Sequence, residues 1–193
     1  MTPHSARERI LQTASTLFYR EGYRATGIDR IIAESGVAKM SFYRHFPSKS
    51  DLILAYLMQR HAEWMHWFTT ALQERIDAMG TFQLEMVAEV LGAWFAQEDF
   101  RGCAFINAVA ETGLSADGAM RETAARHKED LVAYLDGLLK ARGPLDARLA
   151  RAVVLIIDGL IVRYQTTHNP QEIDAARYLL STLDTQSPVV TPK

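Results

Sequence analysis

Cysteine is almost missing from this 193-residue sequence. Cys103 stands alone, so no disulfide closes within the chain and a reducing, cytoplasmic location is expected. Long apolar runs are missing too. The longest candidate, residues 152–162, is interrupted by Asp158 and falls short of the roughly 20 residues a membrane span needs. No apolar run follows a basic start, so no signal peptide is expected. There is no Gly-rich phosphate loop, no His-Glu-x-x-His and no Gly-x-Ser-x-Gly elbow, and His61, Glu63 and His66 lack the i, i+4 pairing of a helical metal site. The sequence therefore predicts no catalytic residue, no metal and no cofactor. No stretch reads as a convincing strand, and no internal repeat or low-complexity tract stands out. An all-α chain is expected.

The sequence is not short of charge, but its charge is unevenly placed. Residues 1–50 carry eight Lys and Arg against four Asp and Glu, and the remainder thirteen against nineteen, within a formal net charge of −2. A basic head on an acidic body suggests that the head alone meets a polyanion. Within that head, residues 26–49 organise the chain. Thr26 with Asp29 three residues on predicts a capping box. Ile28, Ile31 and Ile32 make an apolar stripe at helical spacing. Gly36 suits the left-handed end of that helix. A second short helix is expected from about Lys39 to His45, with Phe42 and Phe46 turned inward and Lys39, Met40, Ser41, Tyr43, Arg44 and His45 outward. Two short helices, the second polar and basic, have the shape of a helix-turn-helix whose second helix fits a DNA major groove.

The run from Val37 to Phe46, with Pro47-Ser48-Lys49-Ser50-Asp51-Leu52 after it, resembles the DNA-binding segment of the tetracycline-repressor (TetR) family of bacterial transcription regulators. The Gly-Val turn, the Phe-Tyr and His-Phe pairs and the Ser-Lys helix opening coincide over the first quarter of the chain. Met40 departs from the pattern, since many members have a small residue there. The resemblance implies that Tyr43 and His45 touch phosphates. Lys39, Ser41 and Arg44 lie where side chains reach base edges, and Arg bidentate to guanine is the commonest specific pairing. Thr26 and Lys49 sit at helix starts, where backbone N–H groups favour a phosphate oxygen.

Taken in order, Ser5 with Glu8 predicts a capping box and a helix to about Tyr19, after a loose arm over residues 1–4. Ser48 with Asp51 opens a long helix over about 49–79, whose first turns serve the head and whose later turns serve the body. Further helices are expected over about 82–97, 103–112, 119–140, 146–167 and 170–183, about nine in all. Residues 113–118 read as a loop and 185–193 as a disordered tail. This divides the chain into a helix-turn-helix domain (1–50), a ligand-binding and dimerisation domain (51–184) and the tail.

In the body, Trp64, Trp67, Phe68, Trp94, Phe105 and Tyr164, with Met58, Met65 and Met86, are candidates to line an apolar ligand cavity. The helix around residues 150–162 is apolar nearly all round, which predicts burial on more than one side. In the family it resembles, the last two helices form a four-helix dimer interface, which assigns Leu160, Ile161, Tyr164, Ala176, Leu179, Leu180 and Leu183 to that role. Asp158 is expected to pair with Arg163 or Arg151 across the dimer, or to face a ligand. Cys103, at a helix start and two residues after Arg101, is a candidate sensor of oxidants or electrophiles. The reading is a homodimeric transcription regulator, most often a repressor in this family, that binds a palindromic operator in double-stranded DNA and is released by a small, largely apolar effector. A helical enzyme would leave the basic helix-turn-helix unexplained. A scaffold that had lost DNA binding would leave Lys39, Tyr43, Arg44 and Lys49 unexplained.

Overall fold

A computed structural model describes residues 5–112, 118–143, 146 and 148–186. Among these are nine α-helices and no strand: α1 (Ala6–Glu21), α2 (Ile28–Ser35), α3 (Lys39–His45), α4 (Lys49–Met79), α5 (Glu85–Phe95), α6 (Ala104–Thr112), α7 (Gly118–Lys140), α8 (Leu149–Thr167) and α9 (Gln171–Gln186). None is long and apolar enough to cross a membrane. They form two compact units, one of residues 1–62 with 103–125 and the other of 63–102 with 126–193. Helices α4 and α7 each supply residues to both.

The first unit is built on α1. Ser5 Oγ accepts from Glu8 N at 3.2 Å while Glu8 Oε2 accepts from Ser5 N at 2.7 Å, the expected reciprocal cap. One face of α1 buries Ile10, Leu11, Ala14, Leu17 and Phe18, and α2 and α3 pack on this helix. Gly22 ends it at φ 89°, a conformation that strains any L side chain. Gly36, at φ 63°, ends α2 in the left-handed region as expected. The Thr26 cap does not form. Thr26 is fully buried and its hydroxyl donates to Gly22 O at 2.8 Å, so the N-cap is Gly27, without a side-chain bond. A buried hydroxyl must find a partner, and the carbonyl turned toward it by Gly22 satisfies that need before the helix end can.

The same unit takes in α6, which holds the turn between α1 and α2. Glu111 Oε2 accepts from Tyr23 N at 2.6 Å and from Arg24 N at 3.0 Å. The buried Tyr23 hydroxyl donates to Ala104 O at 3.0 Å. Burial drives both the Tyr23 and Tyr56 hydroxyls far above the ordinary tyrosine range, so both stay protonated.

In the second unit, α9 packs on α5 and α8. Buried Leu72, Val87, Leu91, Phe95, Leu135, Ile157, Ile161 and Leu180 form its core. Three details differ from the sequence-based reading. Helix α5 starts at Glu85 because Phe82 and Leu84 are drawn into the core ahead of it, with Leu84 N donating to Asp184 Oδ2 at 2.7 Å. Helix α8 starts at Leu149, after Asp146 has taken the Arg148 backbone N–H and guanidinium. Helix α9 runs on to Gln186, past the expected end at Leu183, so residues 185 and 186 of the expected tail are helical. Residues 1–4 and 187–193, and 113–117 of the expected loop, lie outside the described residues. Asp158 pairs with Lys128 of its own chain at 2.5 Å, while Arg151 and Arg163 bind Glu129 and Glu172. Within the chain, each of these three side chains therefore has a partner one helix away.

Candidate nucleic-acid interface

Helix α3 presents its side chains by a simple rotation. Each residue advances about 100° around the axis, so positions 39, 40, 43 and 44 fall on one side and 42 and 46 on another. Phe42 and Phe46 are buried, whereas Lys39, Met40, Tyr43 and Arg44 are exposed. Ser41 and His45 lie between the two faces and are half-buried. The outward face therefore carries two cations, a phenol and a thioether. Met40, at 82% exposure, lies between Tyr43 and Arg44 in angular order. The two cations are only loosely engaged. Lys39 Nζ lies 3.4 Å from Asp29 Oδ1, and an Arg44 guanidinium nitrogen lies 3.3 Å from Ser41 Oγ. Exposed contacts of this kind contribute little and release the side chains readily.

The elements beneath hold that face still. Arg30 bridges α2 to α1: its guanidinium meets both carboxylate oxygens of Glu21, one of them at 2.9 Å, and its Nε donates to Glu34 Oε1 at 2.6 Å. Only half of this fork, the Arg30–Glu34 spacing of four, is visible in the sequence. At the start of α4, Ser48 and Asp51 form a complete reciprocal cap, at 3.0 and 3.1 Å. Lys49 follows it, half-buried. Burial pulls its ammonium below the ordinary lysine range, and the Glu111 carboxylate partly offsets this. The start of α2 has no side-chain cap, but Thr26 itself is turned inward.

The aromatic candidates divide between the units. Phe105 is buried in the first. In the second, Trp64 stacks on Phe68 at 4.9 Å and meets Trp94 at 5.9 Å, Trp67 at 6.0 Å and His127 at 5.3 Å. Tyr164 stacks on Phe95 at 4.5 Å, and Phe100 bridges that pair to Trp94. The Trp64 indole N–H is buried without an acceptor among the described residues. His127 is buried beside it, a polar neighbour that sequence spacing did not reveal. Of the interface candidates, Leu160, Ile161, Ala176 and Leu180 are buried within the chain, Tyr164 and Leu183 are half-buried, and Leu179 is exposed. Leu155, at 73% exposure, joins Val162, Tyr178 and Leu179 as the exposed apolar side chains of α8 and α9. Cys103 is buried directly before α6, its sulfur in no disulfide.

The family model for bacterial regulatory proteins of the tetR family matches residues 10–56, the segment from α1 into α4. A crystal structure of SCO4454, a TetR-family transcriptional regulator from Streptomyces coelicolor, is 31% identical, superposes with a TM-score of 0.73, and is covered over 96% of its length by 91% of this chain. The HTH-type transcriptional regulator LmrA of Bacillus subtilis is 28% identical over 180 residues, which are 88% of this chain and 91% of that protein. The HTH-type transcriptional repressor KstR2 of Mycolicibacterium smegmatis is 29% identical over 99 residues, 51% of this chain and 46% of its own.

Proposed function

The chain belongs to the TetR family and is a DNA-binding helix-turn-helix transcription regulator, and on that premise we propose that it is a cytoplasmic, homodimeric repressor of a palindromic operator, released by a small molecule. The observation that carries this reading is the outward face of α3, where Lys39, Met40, Tyr43 and Arg44 stand together over a buried Phe42–Phe46 footing. Arg44 and Lys39, with Ser41, read base edges. Tyr43, His45, Lys49 and the open start of α2 after Thr26 hold phosphates. Two such faces meet half-sites roughly 34–36 Å apart, one turn of the duplex.

The exposed apolar side chains on α8 and α9 support the dimer, with Leu160, Ile161, Ala176 and Leu180 packed behind them. Trp64, Trp67, Phe68, Trp94 and Tyr164 provide the effector's apolar surroundings, and Phe105 is assigned to the same role from the sequence alone. The Trp64 N–H, without an acceptor among the described residues, supports an effector with at least one hydrogen-bond acceptor, because a buried donor without a partner is costly. The effector must bind the released and DNA-bound states unequally, or nothing shifts. Cys103 offers a second input. It directly precedes α6, whose Ala104 carbonyl and Glu111 carboxylate grip the α1–α2 turn, so a modified thiol would disturb that grip.

Purified chain, a genomic duplex library and a panel of small aromatic acceptors test the reading. Specific duplexes should be retained, and an effector should quench tryptophan fluorescence and weaken DNA binding in the same titration, with a coupling of about 1–3 kcal/mol. A chain that is monomeric at micromolar concentration and retains no duplex would defeat the proposal.

A further inference from the structure

We propose that Met40 reads the operator through the C5-methyl group of a thymine. The inference rests on the reading of α3 as the recognition helix and extends it to one base. Met40 is 82% exposed, the highest value among the exposed large apolar side chains of the described residues. Its α3 neighbours Phe42 and Phe46 are buried, so the helix does not lack an apolar side on which to seat. The roughly 100° advance per residue places Met40 within the outward face, between Tyr43 and Arg44 and flanked by Lys39. A duplex drawn in by those cations meets Met40 with its major groove.

Of the four bases, only thymine presents an apolar group in that groove, its C5-methyl. Methionine has no donor and only a weak acceptor, so it gains little from the N7, O6, O4 or amino edges. Its unbranched, polarisable thioether suits a methyl group at a surface of fixed shape. The neighbouring cations supply affinity regardless of sequence, and Met40 supplies discrimination at one position.

The test removes that methyl alone. Full-length chain selects duplexes from a randomised pool. In the enriched duplex each thymine is then replaced by deoxyuridine, symmetrically in both half-sites, and affinity is measured by fluorescence anisotropy at fixed salt. One thymine should stand out, its replacement weakening binding about fourfold per half-site, the factor that corresponds to about 0.8 kcal/mol for one buried methyl. Met40→Ala should bind the thymine and deoxyuridine duplexes equally, and its circular dichroism should match the original chain. A penalty that persists in Met40→Ala, or no thymine whose methyl matters, overturns the assignment while leaving DNA binding intact. A pool that yields no enriched duplex overturns the assignment together with the reading of α3.

Discussion

Glu111 is the side chain whose loss should be felt farthest along the sequence. Its Oε2 accepts from two successive backbone N–H groups, Tyr23 at 2.6 Å and Arg24 at 3.0 Å. Tyr23 is buried, so its N–H cannot turn to water when the carboxylate is removed. Hydrogen bonds to a charged group contribute about 1.5–3 kcal/mol each, and the Arg24 bond is solvent-exposed and falls below that range. Glu111→Ala should therefore cost about 2–3 kcal/mol, a fall in Tm of roughly 4–12 °C for a chain of this size. Glu111→Gln keeps a carbonyl oxygen for both donors and should cost clearly less. A companion substitution sharpens the test. A Cβ at Gly22 would lie 2.9 Å from Glu111 Oε1, on a backbone already at φ 89°. Gly22→Ala should then destabilise less in the Glu111→Ala background than in the original chain, with strain from φ remaining in both. Thermal unfolding by circular dichroism reads all five proteins. A Glu111→Ala chain within about 0.5 kcal/mol of the original, or strictly additive costs, would refute the account of the turn.

Other outcomes follow from the same structure. Arg44→Ala should flatten sequence preference at one base pair by about 1–3 kcal/mol, whereas Lys49→Ala should weaken all duplexes alike; selection from a randomised pool separates the two. Leu155→Glu, at a position 73% exposed, should leave helicity intact and split the dimer, while Leu160→Glu, at 4%, should unfold the chain; sedimentation and circular dichroism read the contrast. Tyr23 and Tyr56 should ionise only as the chain unfolds. The unfolded state releases their protons above about pH 10 and the folded state does not, so stability present below that pH is lost as pH rises past it, and tyrosinate absorbance should rise in step with unfolding.

What could be read from the sequence was what neighbours in sequence decide. The Ser5–Glu8 and Ser48–Asp51 caps need only a spacing of three, and both formed. The inward Phe42–Phe46 pair and the outward polar face of α3 followed from helical period alone. Thr26 shows the limit: its burial, decided by packing, turned a capping side chain toward Gly22 O. The start of α5 was decided by Asp184, one hundred residues away, and the bracing of the turn after α1 by Glu111, nearly ninety away. The orphaned Trp64 N–H and buried His127 depend on α4 meeting α7, which no local pattern encodes.

The inclusion of α6 in the first unit has a consequence for how the chain is made. Residues 1–62 contain every helix of the helix-turn-helix, yet the groups that close its first turn, Ala104 O and the Glu111 carboxylate, come some forty to fifty residues later. On the ribosome, at about 5–20 residues per second, the segment emerges seconds before its fastener does. During that interval the Tyr23 hydroxyl and two backbone donors have only water to bind, and α1 and α2 are joined without their brace. A nascent chain stalled after residue 62 should therefore be cut by protease between α1 and α2, and one released after residue 125 should resist. The helix-turn-helix would then be braced only past the midpoint of synthesis, well after its own last residue has emerged.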